Sequence, residues 1–195
     1  MSSQDESCAR PLRADARRNR QQLVEAARQA LTTRGSDASI EQIAKAAGVG
    51  VGTLYRHFPR RIDLVEAVYS QDVDALVALA QELDGVDLPW DALETWLQAF
   101  VRYAQAKRTF LAELHEAFEK NPALALASRE KIRASAGRVL ERAQTAGVAR
   151  DDLDAADLVQ LVAGMCLARN ASPGQNDRLL VVVLDGMRSA PATPD

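Results

Sequence analysis

The sequence predicts an all-α fold, and three observations carry that prediction. Apolar residues recur at i, i+3, i+4 and i+7 along most of the chain. No segment shows the alternation of a half-buried strand. Gly and Pro fall where helices would close and open, as in Arg34-Gly35, Asn121-Pro122 and Ala146-Gly147. The run Leu180–Leu184 is β-branched, but a lone strand has no partner here, so it is expected to be helical.

Taken in order, residues 1–14 show no apolar face and are expected to form a disordered tail. From Asp15 to Arg34, Leu23, Ala26, Ala27, Ala30 and Leu31 share one helical face, and Gly35 ends the helix. Ser39 is an N-cap for a short helix over 40–47, with Glu41 in its first turn. Gly48 turns the chain into a second short helix, 51–58, which Pro59 stops. Longer helices are expected over 62–83, 90–107, 109–119, 121–146, 154–170 and 175–189, with a frayed tail over 190–195.

The chain has 195 residues, 47% of them hydrophobic and 26% charged, which suits a globular protein and excludes a disordered one. No stretch is apolar enough to span a membrane, and the polar N-terminus does not resemble a secretory signal, so a cytoplasmic protein is expected. Cys8 and Cys166 form no paired-cysteine motif; Cys166 reads as a small core residue. The net charge of −3 hides an asymmetry. Residues 1–61 hold eleven basic and six acidic side chains, or +5, and the rest hold thirteen and twenty-one, or −8. Such a division is expected when one end alone meets phosphate.

The segment SIEQIAKAAGVGVGTLYRHFPRRIDL, Ser39–Leu64, carries the chemistry. Ile40 and Ile43 face inward, Ala44 allows close helix crossing, Gly48 fits a left-handed turn, and Leu54 and Phe58 anchor the second helix. This is a helix-turn-helix, whose second helix enters the DNA major groove by its N-terminal end. Gly50, Val51 and Gly52 permit close approach, while Thr53, Tyr55, Arg56 and His57 supply donors for phosphate. Arg61 stands before the next helix start, itself suited to an anion. The glycines at 48, 50 and 52 follow no strand and lack the third spacing of a dinucleotide loop. The basic run Arg10–Arg20 reads either as an arm tracking the minor groove or as a solubilising tail.

The run G-V-x-x-G-T-L-Y-x-H-F, followed by a basic residue and Leu64, resembles the DNA-binding domain of TetR-type transcriptional regulators over about residues 17–69. The resemblance implies a dimer of all-helical subunits. Each would have a three-helix DNA-binding domain, 15–61, and a six-helix ligand-binding and dimerisation domain, 62–189. It implies Val51, Gly52 and Thr53 at base edges, Tyr55 and His57 on phosphates, and Arg61 in place of a helix-start lysine. Ser39 and Arg56 complete the expected DNA-facing set, and Glu41 is expected to face solvent.

In the second domain Trp96, Phe100, Tyr103, Phe110, Leu114, Phe118 and Met165 could line an effector pocket or simply pack a core. Tyr103, His115, Arg102 and Asn170 are polar candidates to orient a ligand. His115 and Glu119 share a helix face that reads as solvated rather than metal-binding. Arg150 and Asp152 read as braces for the helix start that follows. Leu158, Leu161, Val162, Leu179, Val182 and Val183 are more apolar surface than one subunit needs, and the resemblance makes them the dimer interface. The expected function is an operator-binding regulator, a repressor released by a small-molecule effector, with no cofactor or metal. The competing class, a helical small-molecule-processing enzyme with a vestigial helix-turn-helix, needs a nucleophile–base pair or a metal cluster, and the sequence offers neither.

Overall fold

The computed structural model describes residues 5–167 and 174–189. Among them are nine α-helices and no strand, as the periodicity predicts. They are α1 (Asp5–Arg34), α2 (Ile40–Ala46), α3 (Val51–His57), α4 (Arg61–Glu82), α5 (Pro89–Lys107), α6 (Leu111–Lys120), α7 (Pro122–Thr145), α8 (Ala155–Cys166) and α9 (Gln175–Met187). Short 3-10 turns follow α1, α4 and α5. No described helix is long and apolar enough to cross a membrane. Asn170 and the expected tail over 190–195 lie outside the described residues.

The segment over 1–14 was expected to be disordered, yet α1 begins at Asp5. Ala9, Arg10, Leu12, Arg13 and Ala14 favour helix behind an acidic start, Asp5-Glu6, while Pro11 among them lacks an N–H to donate and opposes it. The chain divides into one compact unit that runs to Tyr69 and includes Thr109–Lys120, and another formed by Ser70–Arg108 and the chain from Asn121 onward. The periodicity of α6 marks a buried face but not which unit buries it.

In the first unit Leu23, Ala27 and Leu31 of α1, Ile43 and Ala44 of α2, Leu54 of α3 and Leu64, Val65 and Val68 of α4 are buried, joined by Phe110, Leu114 and Ala117. Gly35 closes α1 at φ +58°, where a Cβ would stand 2.1 Å from the Thr109 carbonyl oxygen. The Thr109 hydroxyl donates to the Leu31 carbonyl at 2.8 Å, so this turn is fastened to the end of α1.

In the second unit Trp96 is fully buried, and its indole N–H donates to the Leu76 carbonyl at 3.2 Å. Arg142 donates to the carbonyls of Leu83 and Val86, satisfying the backbone at the end of α4. Asp154 and Asp157 form a reciprocal capping box at the start of α8. Leu180 and Leu184 point into the core from α9, so burial on one face settles the β-branched run as helix. Arg150 pairs with Asp152 just before α8, where braces were expected.

Candidate nucleic-acid interface

The helix-turn-helix lies in the first unit. Ser39 caps α2: its hydroxyl accepts from the Gln42 N–H at 3.3 Å and donates to Glu41 at 2.6 Å. That donation holds the exposed Glu41 carboxyl below its usual range, so it faces solvent as an anion. At the other end Gly48 (φ +69°) donates to the Lys45 carbonyl at 3.1 Å and Val49 to that of Ala44 at 3.0 Å. This paired closure needs a left-handed residue, which explains the glycine.

Leu54 of α3 is 1% exposed and holds the helix from within. Its outer surface is open. A Cβ built on Gly50 or Gly52 would meet nothing within 4 Å, so the protein's own packing does not demand those glycines. Their lack of side chains leaves room for something outside the subunit. Val51 and Thr53 are partly exposed beside them, and Tyr55 is 48% exposed one turn on. His57 is partly exposed near Phe58, ring centroids 6.4 Å apart. Arg56 folds back along α3, donating to the Gly52 carbonyl at 3.3 Å and the Thr53 hydroxyl at 3.2 Å.

Arg61 departs from expectation. Its Nε donates to Glu113 Oε2 at 3.1 Å and its Nη2 to Oε1 at 3.2 Å, while other donations reach the carbonyls of Ala38 and Ser36. The guanidinium is thus occupied by α6 and by the α1–α2 connection and is not presented as a free phosphate donor. Sequence reasoning missed Glu113, 52 residues away, because nothing local marks it as a partner. Nearby Arg60 is likewise paired, with Asp63, whose carboxyl it holds below the usual range.

Residues 23–68 match the family profile described as bacterial regulatory proteins, tetR family, and residues 88–189 match the C-terminal domain of SbtR-like transcriptional regulators. The chain belongs to the TetR family of transcriptional regulators. Its structure is similar to that of a TetR regulator from Streptomyces coelicolor, with 34% identity and a TM-score of 0.79 over 88% of this chain and 99% of the other. A TetR regulator from Mycobacterium vanbaalenii is similar at 31% identity and a TM-score of 0.69, covering 91% and 99%. An HTH-type transcriptional regulator of Staphylococcus aureus (strain USA300) is 40% identical over 67 residues, 34% of this chain. That match spans 36% of the relative's length.

The residues expected to line one pocket fall in two units: Trp96, Phe100, Tyr103 and Met165 in the second, Phe110, Leu114 and Phe118 in the first. Trp96 stacks on Phe100 at 5.3 Å and Phe100 on Tyr103 at 5.8 Å, a packed aromatic ladder along α5. Phe118 meets Tyr69 edge-on at 5.1 Å. His115 is exposed, and no group of His, Cys, Asp and Glu suited to a metal gathers among the described residues. Cys166 is fully buried, and that burial pushes its thiol up.

The ladder ends at Lys107, whose Nζ stands 3.6 Å above the Tyr103 ring. Burial lowers its pKa to about 7, against a smaller opposing pull from Asp72. A depressed base is uncharged when folded above that value, while the unfolded chain still binds the proton up to about pH 10.4. Its burial penalty is therefore full below pH 7 and vanishes as pH rises toward 10. Lys107→Met is expected to raise Tm near neutrality by several degrees, with the difference closing in melts at rising pH. A difference independent of pH would refute the assignment.

The expected dimer residues also divide. Leu158 and Val162 are 1% and 0% exposed, buried in their own subunit's core, and are not a free face. Their spacing on α8 records the internal packing. Leu161, Leu179 and Val182 are exposed, Val183 partly so, and Val181 and Leu167 add exposed apolar surface. An open groove of about 670 Å³ runs beside α8, lined by Leu153, Asp157, Leu158, Gln160, Leu161, Gly164 and Met165.

Proposed function

We propose that this protein is a homodimeric repressor that binds a palindromic operator through α3 and leaves it when a small-molecule effector binds the second unit. The observation that carries the reading is the bare start of α3. Gly50 and Gly52 stand before empty space, with Val51 and Thr53 beside them and Tyr55 outward, on a helix-turn-helix closed by Gly48. Val51 and Thr53 would meet base edges, largely through methyl groups, so DNA shape would share in selectivity. Ser39, Tyr55, Arg56 and His57 would reach phosphates. The role expected for Arg61 becomes positional: it ties α4 to α6 and to the start of α2.

The exposed residues of α8 and α9 support pairing with a second copy. Isologous contact there would set two recognition helices about 34–36 Å apart, matching successive major grooves. The effector would favour a subunit arrangement that no longer fits that spacing. The reading requires no catalytic residue, metal or cofactor, and it places the protein in the cytoplasm with DNA.

The test is a binding titration against duplex DNA from upstream of the protein's own gene, with a random duplex as control, over a range of salt. Operator binding should be the tighter and fall steeply as salt rises. A flat salt response, or equal affinity for both duplexes at every salt concentration, would overturn the reading. Within this scheme Thr53→Ala is expected to weaken operator binding by about 1 kcal/mol and to leave random DNA nearly unchanged. Equal losses on both duplexes would make Thr53 a phosphate contact instead.

A further inference from the structure

Three arginines stand in or just beyond α3, and the fold uses each differently. Arg60 is paired with Asp63 and Arg61 with Glu113. Arg56 pairs with no carboxylate among the described residues and turns back along its own helix. Its Nε donates to the Gly52 carbonyl at 3.3 Å and its Nη2 to the Thr53 hydroxyl at 3.2 Å. Gly52 and Thr53 lie four and three positions before Arg56, the spacings that share one helix face. Gly52 brings no side chain of its own to that face.

This contact sets the polarity of Thr53. A guanidinium only donates, so the Thr53 oxygen accepts from it. The hydroxyl's own proton goes to no other group among the described residues. A hydroxyl that accepts from a cation is a stronger donor and a weaker acceptor, because the positive charge draws electron density from its oxygen. Thr53 is partly exposed between bare Gly52 and outward Tyr55. It therefore has an O–H to give to a group outside the subunit, with a positive charge 3.2 Å from its oxygen.

We infer that Arg56 is a specificity-determining residue: by holding Thr53 as a donor, it makes α3 select a base-edge acceptor and reject cytosine at one position of each half-site. The inference rests on the operator reading above and deepens it, adding one directional hydrogen bond to contacts otherwise made by methyl groups. In the major groove guanine offers N7 and O6, adenine N7 and thymine O4, whereas cytosine offers an amino group alone. That amino group would bring a second N–H to an oxygen already held by a cation, and its positive hydrogens toward the guanidinium. Arg56 acts on the base through Thr53, so it is a positioning residue there. Its Nη1 makes no bond within the subunit among the described residues and stays available for a phosphate. One guanidinium would join a backbone contact to a base contact.

The experiment reads a ratio, so that a general loss of affinity does not register. The full-length protein is titrated with the upstream duplex and with versions in which each other base is replaced in turn by cytosine, over the same salt range. In the wild type, one position of each half-site should show a cytosine cost of about fivefold to tenfold. Thr53→Val keeps the shape without the hydroxyl and should remove that cost. Arg56→Met should remove it at the same position, to about twofold or less, while weakening every duplex through the lost phosphate contact. Arg56→Lys keeps a charge for the phosphate but not the planar two-point hold. It should recover general affinity and salt slope, with the cytosine cost still absent. Thr53→Val/Arg56→Met should discriminate no worse than either single variant. Thermal melts check that each variant is folded.

An Arg56→Met protein that binds every duplex equally more weakly but keeps the cytosine cost overturns the inference, because Arg56 is then a phosphate contact alone. So does the absence of any position that responds to Thr53→Val, a preference for cytosine at that position, or a cost restored by Arg56→Lys. A wild-type protein that does not distinguish the upstream duplex from the random one fails the operator reading itself, a result separable from these, and the inference falls with it.

Discussion

Gly35→Ala is expected to destabilise the protein by about 3 kcal/mol or more, lowering Tm by roughly 6–12 °C. Two costs combine. At φ +58° a side chain sits in the left-handed region, a cost of about 1–2 kcal/mol for alanine. The new Cβ would also stand 2.1 Å from the Thr109 carbonyl oxygen, a backbone atom that cannot rotate aside. Relief would require the turn before α6 to move off the end of α1, breaking the Thr109–Leu31 hydrogen bond. Gly48→Ala is the internal control. Its φ is +69°, but nothing lies within 4 Å of a Cβ there, so the backbone cost alone should appear. Thermal melts of the two variants side by side check this. Equal losses would show that the approach of Thr109 carries no energy.

The second large effect is on assembly. Leu161→Glu/Val182→Glu is expected to yield a folded monomer whose operator affinity falls about 100-fold or more. Both side chains are largely exposed in the subunit, at 49% and 67%, so the fold should persist. In an isologous interface each new charge would have to be desolvated, at a cost that favours separate subunits. A monomer brings one recognition helix and half the phosphate contacts, so its salt slope should halve as well. Sedimentation and the titration described above measure both. A variant that stays dimeric would move the interface away from this face. Substituting Leu158 or Val162 tests something else, because those residues are core and their loss would unfold the subunit.

Much of the helix-turn-helix was legible because its determinants are local. Ser39 at a cap, Gly48 at a turn, and Leu54 and Phe58 at helical spacing each act within a few residues. Tyr55 is legible as exposed for the same reason, since its neighbours Leu54 and Phe58 fill the inner face. The errors share a different cause. Arg61 looks like a phosphate donor from its position before a helix, and only the fold brings Glu113 to it. The helical start of α1 was not expected because residues 1–14 show no apolar face and Pro11 opposes a helix there.

The same division holds for the body of the protein. Periodicity marks Leu158, Leu161 and Val162 as apolar positions of one helix but does not say which meets its own core and which meets solvent. By itself the sequence determined the all-α class, the order of the helices, the helix-turn-helix and the basic bias of the N-terminal third. These follow from local spacing, capping and composition. The tertiary structure decided that Arg61 is locked to Glu113, that α6 belongs with the DNA-binding unit, that Lys107 stands partly buried over Tyr103, and which face of α8 and α9 stays open. Each depends on residues far apart in the chain, and whether a charge is free or a methyl group buried is set by what packs against it.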